Sequence, residues 1–134
     1  MEVCAESLGR KSGRPSVSGD KAAVERAVEI AKAKGAKRAM MLTVSAPFHC
    51  ALMQPAAEVM AQALSQVTMK PPAVPLVANV LAKPISDPAE IVRRLVEQVT
   101  GTVRWRESIA FMAGAGVKTF YELEIGRASC RERV

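Results

Sequence analysis

The stretch Arg38-Ala39-Met40-Met41-Leu42-Thr43-Val44-Ser45-Ala46-Pro47-Phe48-His49-Cys50 decides the fold class of this 134-residue chain. Residues 38–44 are mostly apolar, which is typical of a strand. Pro47 ends that run, and apolar residues then recur at helical spacing over residues 52–67. A strand, a short loop and a helix in this order predict an α/β protein. The single histidine, His49, lies in the loop, where α/β folds often place functional side chains.

One helix and an irregular arm are predicted upstream of this stretch. Asp20 is a suitable N-cap for a helix that Gly35 ends. Residues 1–16 are rich in Ser, Gly, Lys and Arg and show no sustained period, so we expect a loop or an unstructured arm there. The apolar stripe of the helix consists of Val24, Ala27, Val28 and Ala31.

The alternation of strands and helices continues downstream. Residues 74–81 predict a buried strand. The clearest helix start is Asp87-Pro88-Ala89-Glu90, which combines an N-cap, a proline in the first turn and a capping-box glutamate, and Gly101 closes this helix. A last helix is expected over residues 107–115 and a last strand over residues 118–123.

Composition and charge argue against several classes of protein. The formal net charge is +6, but acidic residues are interleaved with the basic ones and the aromatic residues form no cluster, so we expect no nucleic-acid partner. No apolar run approaches the roughly 20 residues that span a bilayer, and the N-terminus does not resemble a signal peptide, so we expect no membrane association and a cytoplasmic protein. The three cysteines are irregularly spaced, which favours free thiols over disulfides or a zinc site.

Two positions are candidates for chemistry on their residue type alone. His49 is either a structural histidine or a catalytic base, and Ser45 and Cys50 are potential nucleophiles beside it. Neither lies in the G-x-S-x-G turn that exposes a nucleophile, and Cys50 is better explained as a small packed residue. Asn79, within the predicted strand, is either a ligand contact or a polar residue near the strand end.

Several segments, taken in order, resemble the malonyl-CoA:acyl carrier protein transacylases of bacterial fatty acid synthesis. The resemblance is centred on the His49 motif and extends over most of the chain. The similar segments are Ser18-Gly19-Asp20-Lys21-Ala22-Ala23-Val24-Glu25, Lys34-Gly35-Ala36-Lys37-Arg38, Ser45-Ala46-Pro47-Phe48-His49-Cys50, Val74-Pro75-Leu76-Val77-Ala78-Asn79-Val80 and Val103-Arg104-Trp105-Arg106-Glu107-Ser108.

This resemblance implies part of an acyltransferase fold. Residues 17–44 would form the end of a ferredoxin-like small subdomain, and residues 45–123 the C-terminal part of an α/β-hydrolase-like large subdomain. The family moves malonyl from coenzyme A to acyl carrier protein by a Ser/His ping-pong mechanism. The resemblance therefore places the general base on His49 and a main-chain group that orients it on Arg104. Asn79 is expected to bind substrate on its residue type and position alone.

The same resemblance indicates the partners of the protein and shows where its sequence differs from the family. Malonyl-CoA and acyl carrier protein are the expected partners, the coenzyme A thioester is a substrate, no cofactor or metal is expected to be bound, and the parent enzyme is expected to be a monomer. The G-H-S-L-G turn with the nucleophilic serine, the glutamine loop and the malonyl-binding arginine do not occur in this sequence, so we expect no activity from the chain alone. Thr43 stands where the family commonly has proline.

Both ends differ from the family, and two further possibilities stay open. Residues 1–16 are interpreted as a degraded or non-native arm, and residues 124–134 resemble a translated sequencing-library adapter. One alternative to the enzyme fragment is a non-catalytic module whose basic helix over residues 20–34 binds the carrier protein. The other is an unstable truncated product, since strands without neighbours would expose apolar edges.

Overall fold

Pairs of strands alternate with groups of helices along the chain, and this mixture of the two confirms the α/β class. The computed structural model describes residues 3–6, 16–124 and 127–133, and the side chains of residues 16–121. The helices are α1 (Lys21–Ala33), α2 (Gln54–Ser65), α3 (Pro88–Thr100) and α4 (Trp105–Gly114). The strands are β1 (Val3–Glu6), β2 (Ser16–Gly19), β3 (Leu76–Ala78), β4 (Lys83–Ile85), β5 (Phe120–Glu124) and β6 (Arg127–Arg133).

Helix α1 begins and ends where the sequence predicts. The Asp20 carboxylate accepts a hydrogen bond from the Ala23 amide at 3.2 Å, which satisfies one of the unpaired N–H groups of the first turn. At the other end Gly35 has a φ of +87°, and the Ala36 amide donates to the Ala31 carbonyl at 3.0 Å. This is a Schellman turn, which favours glycine because it requires the left-handed backbone region.

Helix α3 also follows its sequence signals. The Asp87 carboxylate accepts from the Glu90 amide at 2.8 Å, and Pro88 occupies the first turn. Glu90 in turn pairs with Arg94 at 2.9 Å, one turn further along the helix. Gly101 is the C-cap, as predicted. Local caps therefore fix both ends of α3, the helix whose last turn contacts His49.

The other two helices lie close to their predicted positions. A 3-10 turn, Ala51–Met53, precedes α2, and Pro55 falls in the first turn of that helix. Helix α2 packs against α3. Helix α4 begins at Trp105 rather than at residue 107, because the Arg104 carbonyl already accepts the Ser108 amide at 2.9 Å and starts the helical hydrogen bonding there.

The strands form three two-stranded antiparallel pairs: β1 with β2, β3 with β4, and β5 with β6. The prediction of a buried strand over residues 74–81 was only partly right. Strand β3 covers Leu76–Ala78, Leu76 is 42% exposed, and residues 79–82 turn back into β4. The turn ends the strand because the amides of Leu81 and Ala82 both donate to the Ala78 carbonyl. The last predicted strand is confirmed as β5.

The prediction of a strand over residues 38–44 was wrong. These residues have no regular secondary structure, and Met40 and Leu42 are 55% and 59% exposed. The physical reason is the lack of a neighbour: an extended segment needs another strand to pair its N–H and C=O groups. Within the described ranges, no strand runs beside residues 38–44.

The interpretation of residues 1–16 as an irregular arm needs one correction. Backbone atoms of Val3–Glu6 form β1, which pairs with β2 in a register that joins Val3 to Gly19. Extended backbone next to another extended segment pairs its N–H and C=O groups with that segment, although the composition suggested a loop. Residues 1–2, 7–15, 125–126 and 134 lie outside the described residues, and the proposed origin of residues 124–134 stays a prediction.

The described core is small, and much apolar surface is exposed. None of the helices in the described part of the chain combines the length and apolar character needed to cross a membrane. The buried residues are mostly small: Ala23, Cys50, Ala57, Ala78, Ala82, Ile91 and Ser108. The exposed large apolar residues are Ile30, Met40, Met41, Leu42, Val44, Phe48, Leu52, Val59, Met60, Val67, Val74, Leu76, Trp105, Phe111, Val117 and Tyr121.

Candidate active site

His49 lies in the loop before the 3-10 turn with a backbone conformation that side chains rarely adopt. Its φ is +58°, a left-handed value that costs roughly 1–3 kcal/mol in a residue with a side chain. The next residue, Cys50, is 1% exposed, and its thiol donates to the Pro47 carbonyl at 3.1 Å. The Cys50 carbonyl accepts from the Met53 amide at 2.9 Å. The loop is therefore anchored immediately after His49.

A main-chain carbonyl holds the imidazole ring. Nδ1 of His49 lies 2.8 Å from the carbonyl oxygen of Gln98, near the C-terminal end of α3. A carbonyl can only accept a hydrogen bond, so Nδ1 carries the proton and donates, and the lone pair of the neutral ring is on Nε2. This is the tautomer that a general base needs at Nε2.

The residue that orients His49 is not the one the resemblance indicated. The sequence placed this role on the main chain of Arg104, but the carbonyl at Nδ1 belongs to Gln98. The Arg104 carbonyl is engaged elsewhere, since it accepts both the amide and the hydroxyl of Ser108 at 2.9 Å. The Arg104 carbonyl therefore forms the first hydrogen bond of α4.

Arg104 instead binds the turn between β3 and β4. Its amide donates to the Asn79 carbonyl at 2.8 Å, and its guanidinium donates to the Leu81 carbonyl at 3.1 Å. The guanidinium also pairs with the Glu107 carboxylate. That hydrogen bond lowers the pKa of Glu107 and raises the pKa of Arg104. Arg104 therefore joins the turn to the start of α4.

The Asn79 side chain is directed at the protein itself. Its amide nitrogen Nδ2 donates to Oε1 of Gln98 at 3.0 Å, and Asn79 is half-buried in the turn after β3. The role of Asn79 as a substrate contact stays a prediction, and the structure gives its side chain a hydrogen bond to Gln98, whose carbonyl contacts His49. The sequence analysis singled out both His49 and Asn79, but it assigned the group that orients His49 to Arg104 instead of Gln98.

Gln98 is the site residue that the sequence analysis missed. Its main-chain carbonyl contacts His49. Every residue type has such a carbonyl, so the residue type alone does not reveal this role. The one available signal was positional: the last four carbonyls of a helix have no partner within it, and Gln98 is among them once Gly101 is accepted as the cap.

The remaining candidates for nucleophile or metal ligand do not assemble around His49. Cys50 is packed, as predicted, and its thiol is directed at a backbone carbonyl. Ser45 is exposed. Within the described part of the chain, no group of three or more His, Cys, Asp or Glu could hold a metal ion. An open groove of about 810 Å³ lies between α1 and residues 39–41, and its lining does not include His49.

Known proteins with the same sequence pattern are malonyl transferases. The chain is 46% identical over 115 residues to the malonyl CoA-acyl carrier protein transacylase of Salmonella typhimurium, which covers 86% of this chain and 37% of that protein. The Bacillus subtilis protein of the same name is 43% identical, with 86% and 36% covered. No family model matches the chain.

Solved structures give the same result for the fold. The acyl-carrier-protein S-malonyltransferase of Bartonella henselae is 53% identical with a TM-score of 0.80, covering 86% of this chain and 36% of that one. A malonyl-transacylase solved in complex with a type II PKS acyl-carrier protein is 40% identical with a TM-score of 0.81, covering 87% and 37%.

The fold is therefore that of part of an α/β acyltransferase, with a loop histidine oriented by a main-chain carbonyl. More particularly, the chain is homologous to the malonyl CoA-acyl carrier protein transacylases, a family of transferases, which confirms the resemblance seen in the sequence. The chain spans about 37% of the length of the first relatives that it matches.

Proposed function

We propose that this chain supplies the histidine base for malonyl transfer from coenzyme A to acyl carrier protein. The observation that supports it best is the 2.8 Å contact between Nδ1 of His49 and the Gln98 carbonyl, which puts the lone pair of the neutral ring on Nε2. Homology to malonyl CoA-acyl carrier protein transacylases supplies the reaction. Malonyl-CoA and acyl carrier protein are accordingly the proposed partners.

The proposed reaction has two half-reactions with one base. In the first, Nε2 of His49 takes the proton of a serine hydroxyl while the serine oxygen forms a bond to the malonyl carbonyl, and coenzyme A leaves as a thiolate that receives the proton. In the second, His49 takes the proton of the carrier-protein thiol. That sulfur then attacks the malonyl-serine ester, and the serine oxygen leaves and is reprotonated.

The nucleophilic serine has to come from another segment. No G-x-S-x-G turn occurs in this sequence, and the two nucleophilic residues nearest His49, Ser45 and Cys50, are respectively exposed and packed away. Without the nucleophile no acyl-serine intermediate can form, and no oxyanion hole is then positioned beside that serine to stabilise the transition state. The chain by itself is therefore proposed to be inactive.

A mixing experiment tests this proposal. A separately produced piece of a relative, ending where its alignment with this chain begins and carrying the serine turn, is combined with the chain. Malonyl transfer to carrier protein is then measured for each piece and for the mixture. Transfer only in the mixture supports the proposal, whereas transfer by this chain alone would contradict it.

A second candidate function is binding of the carrier protein through the end of α1. Lys34, Lys37 and Arg38 are exposed and lie within five positions of one another, which favours an acidic partner. Charge reversal of all three should weaken carrier-protein binding and reduce its salt dependence, while reversal of Lys70, exposed beyond α2, should leave both unchanged. Equal effects of the two changes would count against a docking site at α1.

The exposed apolar surface has its own explanation within the proposed function. Residues 38–44 have no regular secondary structure, are mostly exposed and have no neighbouring strand in the described ranges. We propose that the portion of the relatives that this chain does not span covers these residues, and that residues 17–44 and 45–123 belong to the small and large subdomains of such a protein. The third possibility is an unstable product, which is expected if this apolar surface stays uncovered.

A further inference from the structure

We propose that Asn79 is a positioning residue for His49, acting through Gln98. The inference rests on the proposed role of His49 as base. Nδ2 of Asn79 donates to Oε1 of Gln98 at 3.0 Å, and the carbonyl of the same Gln98 lies 2.8 Å from Nδ1 of His49. Gln98 thus accepts a hydrogen bond from Asn79 with its side chain and contacts His49 with its main-chain carbonyl.

Asn79 is itself fixed from the opposite side. Its carbonyl accepts the Arg104 amide at 2.8 Å, and Arg104 also donates to the carbonyl of Leu81 in the same turn at 3.1 Å. Asn79 therefore occupies a defined place between the start of α4 and the end of α3. An anchored donor restrains its acceptor, whereas a mobile surface amide would not.

The end of α3 is also packed closely against this turn. A Cβ on Gly101 would lie 3.0 Å from Cγ1 of Val80, the residue after Asn79, and 2.9 Å from the Glu97 carbonyl. The Gln98 carbonyl belongs to the last turn of α3, whose carbonyls lack partners within the helix. The Gln98 carbonyl can therefore accept from His49, and the Asn79 amide contacts the side chain of the same residue.

Such restraint matters because His49 has a left-handed backbone. A residue with φ of +58° persists when its surroundings determine it. Cys50 anchors the loop through its thiol, and the Gln98 carbonyl contacts the ring. Loss of the hydrogen bond between Asn79 and Gln98 should allow the His49 ring to leave the Nδ1–H tautomer while the loop stays folded.

The sequence permits a direct test, because His49 is the single histidine and Asn79 the single asparagine. The full chain is labelled with ¹⁵N-histidine, and the ring nitrogen shifts are recorded above the pH range in which histidine titrates. In the wild-type chain we expect the Nδ1–H tautomer. In Asn79→Leu and in Gln98→Met the ratio of Nδ1–H to Nε2–H should fall about fivefold, the effect of one hydrogen bond.

The control variants separate positioning from general damage. Asn79→Asp should keep the wild-type ratio, because the Gln98 amide can rotate to donate to the carboxylate. Gln62→Met, on the exposed face of α2, should also keep it. The double variant Asn79→Leu with Gln98→Met should show no larger change than either single variant, because both remove the same bond.

Each remaining outcome contradicts the proposal. An unchanged tautomer ratio in Asn79→Leu or Gln98→Met overturns it, as does a wild-type ring in the Nε2–H form. In case Asn79→Leu does not fold, ¹⁵N-asparagine labelling of the wild-type chain gives a separate answer: side-chain amide protons that exchange as fast as those of free asparagine overturn it. Because no readout here requires malonyl transfer, failure of this inference is distinct from failure of the mixing experiment.

Discussion

Nδ1 of His49 lies 2.8 Å from the carbonyl oxygen of Gln98, a residue 49 positions later in the sequence. This contact joins the loop before α2 to the last turn of α3, and it fixes the ring through a group that no side-chain substitution removes. The helices on either side, α2 and α3, pack against each other, so the contact depends on their docking. Predictions about the site are therefore also predictions about the end of α3.

Gly101→Ala should destabilise the chain by about 1–3 kcal/mol, as insertion of a methyl group into packed surroundings typically does. The added Cβ would lie 2.9 Å from the Glu97 carbonyl and 3.0 Å from Val80. Gly114→Ala is the matched control, because nothing lies within 4 Å of its added Cβ at the end of α4. Urea unfolding followed by circular dichroism measures both. A Gly101→Ala chain as stable as Gly114→Ala would show that the end of α3 is not packed on the turn.

Removing the cap of α3 should also weaken the fold. Asp87→Ala is expected to cost about 0.5–2 kcal/mol, because the Glu90 amide loses its acceptor at 2.8 Å. Asp87→Ser keeps an acceptor at the same place and should cost much less. The unfolding midpoints of the two variants in urea give the comparison, and equal losses would argue against a capping role.

Acid should remove the contribution of the Arg104–Glu107 pair. The hydrogen bond from Arg104 lowers the pKa of Glu107 below its ordinary value of 4.5. A carboxylate with a lowered pKa stabilises the folded state above the ordinary value, and this contribution disappears as the pH falls through the lowered one. Since the pair is exposed, the effect should be small.

Glu107→Gln tests that effect. The loss of stability between neutral pH and about pH 3 should be smaller in Glu107→Gln than in the wild-type chain. Glu58→Gln, a substitution on exposed α2, should retain the wild-type pH dependence. Identical acid dependence in Glu107→Gln and the wild-type chain would contradict the stabilising role of the pair.

Residues 38–44 should bind apolar dyes until a partner segment covers them. The chain alone is expected to enhance the fluorescence of 8-anilinonaphthalene-1-sulfonate, since exposed apolar surface binds this dye. Leu42→Lys should lower the enhancement, while Ala33→Lys at the end of α1 should change it little. Adding the piece that carries the serine turn should lower it further, and no change on mixing would indicate that the two pieces do not associate.

Helices were more predictable from this sequence than strands. Asp20, Gly35 and Asp87 mark helix ends through contacts within five residues, so their signals are contained in the sequence itself. A strand depends on a partner that can lie anywhere in the chain. Residues 38–44 have strand composition but no neighbouring strand in the described ranges. Val3–Glu6 lies in a segment of loop-like composition but pairs with the strand Ser16–Gly19.

The candidate site was predictable only in part for the same reason. His49 was identified because it is the single histidine and lies in a motif that resembles a known family. Its orienting group was assigned to Arg104 instead of Gln98, since a main-chain carbonyl carries no residue signature. Asn79 was identified by position, but the direction of its side chain depends on how the turn after β3 meets the end of α3.

The most direct test of the proposed function uses the separately produced piece of a relative that carries the serine turn. The rate at which malonyl-CoA acylates its serine is measured in the presence of this chain. With the wild-type chain we expect rapid acylation, and with His49→Ala a rate lower by about 10²–10⁴-fold, the usual contribution of a positioned base. Gln62→Ala, a variant at an exposed position on α2, should react at the wild-type rate. Acylation by the His49→Ala mixture at the wild-type rate would contradict the claim that His49 is the base.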